Sequence, residues 1–245
     1  MNDQVCCWAV IPAAGIGERI GADIPKQYLQ ISGKTILEHA LSPFLVNQRI
    51  KSLVIALNDK DTHFSHLNIQ SNKDIITVTG GQTRAQSVLN ALLEIKGRIN
   101  SNDFVLVHDA ARPCLTENDL NELIDATMMN DVGGILASPI ADTVKKVSNG
   151  KVMETLDRSE LWRAYTPQMF RYHYLLDALS HCITNNIPVT DEASAIEALG
   201  LQPSVVLGDS TNIKVTTPND LVMAEKYLGR IKCCLLYTSD AADDN

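Results

Sequence analysis

Ala9-Val10-Ile11-Pro12-Ala13-Ala14-Gly15-Ile16-Gly17-Glu18-Arg19-Ile20-Gly21, running on to Pro25-Lys26-Gln27-Tyr28, sets an apolar run of strand formers against a glycine-rich bend that carries two cations. A strand that stops in glycines, in a chain where further apolar runs alternate with helical patterns, is the opening unit of an α/β sheet. Gly15 and Gly17 let backbone N–H groups turn toward an anion with no Cβ in the way, and Arg19 and Lys26 bring positive charge to the same mouth. The loop therefore reads as a phosphate site. Its spacing excludes two common forms. A dinucleotide fingerprint needs glycine where Ile20 stands, and a P-loop needs lysine directly after a glycine, whereas Lys26 follows Pro25.

Working outward, strand-like runs at 6–11, 53–57, 75–79, 104–108 and 134–138 are separated by amphipathic segments, the rhythm of a mostly parallel sheet covered by helices. Ile36, Leu37, Ala40, Leu41, Phe44 and Leu45 share one helical stripe. Leu120, Leu123, Ile124, Thr127 and Met128 share another, behind the helix-start pattern Thr116-x-x-Asp119. Core packing explains both stripes without a cofactor. After 138 the rhythm breaks: 143–148 and 151–156 flank Asn149-Gly150, a pair suited to the positive φ of a tight hairpin turn. A β-hairpin arm over about residues 139–165 is expected to leave the α/β body. Leu175, Leu176, Leu179, Cys182 and Ile183 mark a further helix, and 191–199 another that Gly200 can stop. A last strand at 212–215 leads through Thr217-Pro218 into a terminal helix ending near residue 231.

The 245 residues, 45% of them hydrophobic, suffice for one substantial core, so a single domain over 1–232 is expected. A formal charge of −8 and a pI near 5.2 argue against nonspecific nucleic-acid binding, which needs a basic surface. No run reaches the ~18 apolar residues of a membrane span. Met1-Asn2-Asp3-Gln4 lacks the charged start and apolar stretch of a signal peptide, and a cytoplasmic location is expected. The cysteines at 6, 7, 114, 182, 233 and 234 form no C-x-x-C, which points to reduced thiols rather than zinc or a disulfide framework. His63-x-x-His66 has no third ligand nearby, so no protein-held metal is expected. Residues 234–244 resemble the translation of a sequencing adapter and are left out of the fold; removing their three aspartates takes the formal charge from −8 to −5.

In an open α/β sheet ligands collect beyond the carboxyl ends of the strands. The apolar runs here stop in the glycine loop, in Gly80-Gly81-Gln82-Thr83-Arg84-Ala85-Gln86-Ser87, in His108-Asp109-Ala110-Ala111-Arg112-Pro113 and near Lys214. Taken singly each has a plain structural use: a lysine in a loop is solvated, Asp109 caps a turn, Arg112 pairs with it, and His108 is structural. What gives Lys26, Asp109 and Arg112 weight is their projection to one sheet edge, where a triphosphate and a metal would need them.

The motifs P-A-A-G-x-G-x-R at 12–19, P-K-Q-Y at 25–28, T-I-L-E-H at 35–39, G-G-x-x-R-x-x-S-V at 80–88 and V-H-D-A-A-R-P at 107–113 carry a resemblance. With D-R-S-E-L-W at 157–162, T-P-Q at 166–168, T-D-E-A-S-A at 190–195 and N-I-K-V-T at 212–216, they are similar to those of the 2-C-methyl-D-erythritol 4-phosphate cytidylyltransferases, over roughly residues 5 to 232. The resemblance implies a Rossmann-like nucleotidyltransferase fold, CTP and methylerythritol phosphate as substrates, Mg²⁺ bound mainly through the CTP phosphates, and a homodimer joined through the arm. It implies CTP contacts from Pro12, Ala13, Ala14, Gly15, Gly17, Gly81, Gln82, Ser87 and Ala110. Arg19 and Lys26 would stabilise charge at the α-phosphate. Asp109, Arg112, Thr143, Thr166, Thr190 and Lys214 would position the acceptor, with Arg158 contributed by the neighbouring subunit. Two alternatives stand beside this reading: a ribitol 5-phosphate (pentitol-phosphate) cytidylyltransferase, which shares the loop and arm, and a non-catalytic nucleotide sensor. The sensor predicts missing cations, and Arg19, Lys26, Arg158 and Lys214 are all present.

Overall fold

The strand that opens the glycine loop, β1 (Cys7–Pro12), is buried almost end to end, as a run with apolar residues on both faces requires. The computed structural model describes residues 5–15 and 24–239, with the side chains of the last helix described as far as Arg230. Gly17 and Arg19 lie outside the described residues. Along the chain β1 is followed by a small hairpin, β2 (Gln30–Ile31) and β3 (Lys34–Thr35), then α1 (Ile36–Val46), β4 (Ile50–Leu57), β5 (Asp74–Thr79), α2 (Arg84–Glu94) and β6 (Phe104–Val107). Next come α3 (Glu117–Met128), β7 (Gly133–Pro139), the hairpin β8 (Val144–Ser148) and β9 (Lys151–Leu156), and β10 (Trp162–Arg171). The chain ends through α4 (Tyr172–Thr184), α5 (Glu192–Ala198), β11 (Ser204–Leu207) and α6 (Pro218–Ser239).

Among the described residues the central sheet has the order β11-β7-β10-β6-β1-β4-β5, with β10 alone running against its neighbours. The chain lays β4 and β5 on one side of β1 and then crosses to place β6 on the other. This reversal opens a crevice at the carboxyl end of β1, where ligands of open α/β sheets bind. Alternation along β1 splits the core. Cys7, Ala9 and Ile11 pack with Leu37, Leu41, Leu120 and Leu123 on the α1 and α3 side, and Trp8 and Val10 with Val88, Leu92, Leu175 and Leu179 on the α2 and α4 side. A smaller cluster of Ile31, Ile36, Cys114, Val215, Ala224 and Leu228 fastens α6.

Local signals set the element ends. Thr35 and Glu38 form a reciprocal capping box at α1, Thr116 Oγ1 accepts from the Asp119 N–H at α3, and Asp191 caps α5. Asn149 (φ 49°) and Gly150 (φ 74°) make the expected hairpin turn, and Gly200 (φ 76°) follows the end of α5. Cys7, Cys114 and Cys182 are free thiols, and burial pushes Cys7 and Cys114 up to about 12. Among the described residues no helix is long and apolar enough to cross a membrane.

The structure departs from the sequence reading in four places. Residues 212–215 are not a strand but an extended loop, held where the Val215 N–H donates to the Ala111 carbonyl; the edge strand is β11 instead. β10 was not anticipated because Pro167 interrupts its pattern. Pairing with β7 slips between Ala164 and Gln168, and that irregularity accommodates a proline inside a central strand. Trp162, Arg163 and Ala164 pair with Pro139, Ser138 and Ala137, so the hairpin excursion is confined to 140–161 and closes where the Ile140 N–H donates to the Leu161 carbonyl. Finally, the last helix continues beyond residue 231 to Ser239, taking in part of the 234–244 stretch, whose remainder lies outside the described residues.

Candidate active site

Two glycine loops meet at the sheet edge. After β1 the Ala13 N–H still donates to the Ala56 carbonyl at 2.8 Å, and after β5 the Gly80 N–H donates to the Leu57 carbonyl at 2.7 Å, so both loops leave the sheet under control of β4. Gln27 is buried and its amide donates to the carbonyls of Ala13 (2.8 Å) and Gly15 (3.1 Å), which ties the Lys26–Tyr28 turn to the first loop. The second loop is stapled by Ser87, whose Oγ accepts from the Gly81 N–H at 3.0 Å and donates to the Thr83 carbonyl at 3.0 Å. A Cβ on Gly80 would lie 2.4 Å from the Ala14 Cβ, so glycine is needed for the loops to touch. Between them is a cavity of about 380 Å³.

The cavity is lined by three cations, Lys26, Arg84 and Lys214, and one carboxylate, Asp109, among the described residues. Asp109 Oδ1 is 2.8 Å from Arg84 Nε, and its Oδ2 is 2.9 Å from Lys214 Nζ and 3.6 Å from Arg112 Nε. Burial alone would raise this carboxyl; Arg84, then Lys214 and Arg112, outweigh it and hold Asp109 well below the ordinary carboxylate range. Arg84 also grips the fully buried Glu192 with both terminal nitrogens, at 2.7 and 2.9 Å. Arg112 Nη1 donates to the Asn212 carbonyl at 2.7 Å, and its Nε has no hydrogen-bond partner because 3.6 Å to Asp109 makes an ion pair but not a hydrogen bond. Lys26 Nζ donates to the Val215 carbonyl at 3.3 Å, one residue beyond Lys214.

Behind Asp109 lies a polar relay with one possible direction. His108 Nε2 sits 3.0 Å from the Arg112 carbonyl, an acceptor only, so Nε2 carries the proton and Nδ1 is the acceptor. Thr166 Oγ1 therefore donates to Nδ1 at 3.0 Å and accepts from the Asp109 N–H at 3.0 Å. Burial pushes His108 down to about 4, against the smaller opposing pull of the Arg112 carbonyl, which keeps the ring neutral at neutral pH. Because the folded value lies below the unfolded 6.5, the unfolded chain takes the proton first. Stability is then complete above pH 6.5 and drains away as pH falls toward 4. The urea midpoint is expected to fall across that window, with His108→Gln flattening the slope by up to about 1.4 kcal/mol per pH unit. Equal slopes for wild type and variant would remove His108 as the cause.

Of the residues expected from sequence, Pro12, Ala13, Ala14, Gly15, Lys26, Gly81, Gln82, Ser87, Asp109, Ala110 and Lys214 line the one cavity. Arg112 and Thr166 stand behind it, joined through Asp109. Thr190 lies before α5, its N–H donating to Ser194 Oγ, and does not line the cavity. Thr143 and Arg158 are on the exposed hairpin, where Arg158 donates to the Ala141 carbonyl of its own chain. Sequence reasoning missed Gln27, Arg84 and Glu192, although all three stand inside quoted motifs. The available signal for Arg84 was a cation at the first position of a helix starting at the ligand edge of the sheet.

A sequence model of the family described as IspD, 2-C-methyl-D-erythritol 4-phosphate cytidylyltransferase, matches residues 7–230. A relative from Vibrio vulnificus strain YJ016, named 2-C-methyl-D-erythritol 4-phosphate cytidylyltransferase, is 49% identical over 225 residues, 91% of this chain and 95% of its own. A crystal structure described as 4-diphosphocytidyl-2C-methyl-D-erythritol synthase is 37% identical, with a TM-score of 0.81 over 92% of this chain and 99% of its own. The 2-C-methyl-D-erythritol 4-phosphate cytidylyltransferase of Francisella tularensis is 40% identical, with a TM-score of 0.79 over 91% of this chain and 99% of its own.

Proposed function

The chain belongs to the 2-C-methyl-D-erythritol 4-phosphate cytidylyltransferase family, and from that premise we propose that the cavity between its glycine loops joins CTP to 2-C-methyl-D-erythritol 4-phosphate. The products are 4-diphosphocytidyl-2-C-methyl-D-erythritol and pyrophosphate, a step of isoprenoid precursor synthesis. The observation that carries this reading is the cavity's charge: three cations against one carboxylate among the described residues, in a chain of net charge −8. A phosphate oxygen attacking the α-phosphorus of a triphosphate brings two anions together, so alignment and charge neutralisation are the main tasks. Lys26, with Arg19, stabilises charge on the α-phosphate as the bond to the acceptor oxygen forms and the bond to pyrophosphate breaks. Lys214, aimed by Asp109, and Arg112 hold the acceptor phosphate, with Thr166 supporting them from behind through its bonds to the Asp109 N–H and His108, and Thr190 reaching the acceptor only outside this cavity.

The loop backbone from Pro12 to Gly15, with Gly17, cradles the nucleotide; Gly81, Gln82 and Ser87 complete the base pocket, and Ala110 borders the ribose. A phosphate monoester is already a nucleophile near neutral pH, so the reaction needs no general base, and neutral buried His108 serves as support. Among the described residues no group of three or more His, Cys, Asp or Glu could cage a metal. Mg²⁺ would instead be carried mainly by the triphosphate oxygens, since both oxygens of Asp109, the one carboxylate lining the cavity among the described residues, are engaged by Arg84 and Lys214. Carried there, Mg²⁺ would supply shielding of the anionic repulsion and charge stabilisation of the departing pyrophosphate.

The exposed hairpin supports a homodimer. Val147, Val152 and Met153 are 56%, 61% and 64% exposed on strands that would be marginal alone, and a second copy can cover them. That contact would bring Thr143 and Arg158 to the partner's acceptor site. We place the reaction in the cytoplasm and in one domain over 1–232, with 234–244 outside it. Pyrophosphate release, measured with each nucleoside triphosphate against methylerythritol phosphate and ribitol 5-phosphate, should be fastest with CTP, Mg²⁺ and methylerythritol phosphate. Faster turnover of ribitol 5-phosphate would reassign the substrate, and CTP binding without turnover would make the protein a sensor.

A further inference from the structure

Glu192 has no exposed surface and does not line the cavity, yet it holds the guanidinium that hydrogen-bonds Asp109. Three cations surround the Asp109 carboxylate, and they differ in how firmly each is placed. Lys214 rides on a flexible stem that is 41% exposed, and Arg112 Nε stands back at 3.6 Å. Arg112 is held on its far side by a single bond to the Asn212 carbonyl, whereas Arg84 is clamped there by a carboxylate: two parallel bonds to Glu192 fix the plane of the guanidinium, and its Nε then points at Asp109 Oδ1 at 2.8 Å. With Oδ1 pinned, Oδ2 is presented to Lys214 at 2.9 Å.

The anchor beneath this clamp is itself rigid. Gln168 of β10 donates to Asp191 Oδ2 at 2.9 Å and accepts from the Ala193 N–H at 2.9 Å, so the start of α5 is stapled to the sheet on both sides of Glu192. We propose that Glu192 is a positioning residue: acting through Arg84, it fixes the Asp109 carboxylate and thereby the Lys214 ammonium that holds the acceptor phosphate. The inference rests on the cytidylyltransferase reading. Without the Glu192 charge, Arg84 keeps its bond to Asp109 but loses the constraint on its plane, and the carboxylate that aims Lys214 can rotate with it. A buried ion network kept only for folding makes a different prediction, because its loss would lower stability without depending on Lys214.

The test is a double-mutant cycle in the full chain, with CTP, Mg²⁺ and methylerythritol phosphate, in which wild-type turnover is the control for the reading itself. Glu192→Gln is expected to lower kcat by about tenfold and raise the KM for methylerythritol phosphate, while the KM for CTP changes by less than about twofold. In a Lys214→Ala background the same substitution is expected to change kcat by less than about twofold, because the group it aims is gone. The same fold-loss in both backgrounds would overturn the proposal. So would a lower melting temperature with unchanged kcat. If Glu192→Gln does not fold, Glu192→Asp, which keeps the charge but withdraws the carboxylate from Arg84, is crossed with Lys214→Ala and judged by the same two outcomes. No turnover by wild type would overturn the cytidylyltransferase reading and this inference with it.

Discussion

Lys26→Ala is expected to lower kcat by about 100-fold or more while leaving the protein folded. The magnitude is that of losing one preorganised charge aimed at a centre where negative charge builds up, in a cavity walled by protein. Lys26 is half-buried at the cavity edge, and its ammonium is held by the Val215 carbonyl at 3.3 Å, next in sequence to Lys214. The two ammonium groups are thus brought to one cavity from opposite ends of the chain. The fold should survive because other side chains secure the turn. Gln27 binds the carbonyls of Ala13 and Gly15, and Tyr28 donates its hydroxyl to Asp61 at 2.6 Å. Steady-state kinetics and a melting curve on the same preparation check both halves. Near-wild-type kcat would remove Lys26 from the reaction, and an unfolded variant would show that the turn depends on it structurally.

Mixing inactive Lys26→Ala and Arg158→Ala homodimers, with subunit exchange, should restore about 25% of wild-type activity. Arg158 lies on the exposed hairpin, on the far side of its return strand, where a guanidinium suits bidentate contact with a phosphate on another subunit. If it acts across the dimer, each mixed dimer has one site with both residues and one with neither. Random pairing makes half the dimers mixed, and half the sites in those work, which gives about 25% for independent sites in a C₂ dimer. Its present bond to the Ala141 carbonyl keeps it within its own hairpin, and engagement across the dimer would exchange that partner for an anion. Exchange is verified by mass-tagged subunits. Recovery would establish the shared site; its absence after verified exchange would place Arg158 in its own chain's chemistry or outside the reaction.

What the sequence by itself determined is what short range dictates. The burial of β1, the cap at Thr116, the Asn149-Gly150 turn and the stop at Gly200 each follow from side-chain period or from one residue's backbone preference, and each is found. The site was legible in the same measure. Residues sitting where an apolar run stops fall at the ligand edge whatever the rest of the chain does, and so Gly15, Gly81, Asp109 and Lys26 converge on one cavity. Tertiary structure alone decided the pairings with no local signature. β10 is a central strand because β6 and β7 both satisfy it, despite Pro167. Residues 212–215, apolar enough to suggest a strand, are drawn off the sheet by Ala111 and Arg112. The Glu192–Arg84 bond joins residues 108 apart in sequence. A buried carboxylate is stable there only once packing has brought a guanidinium to it, and no period or turn rule in a single chain encodes that meeting.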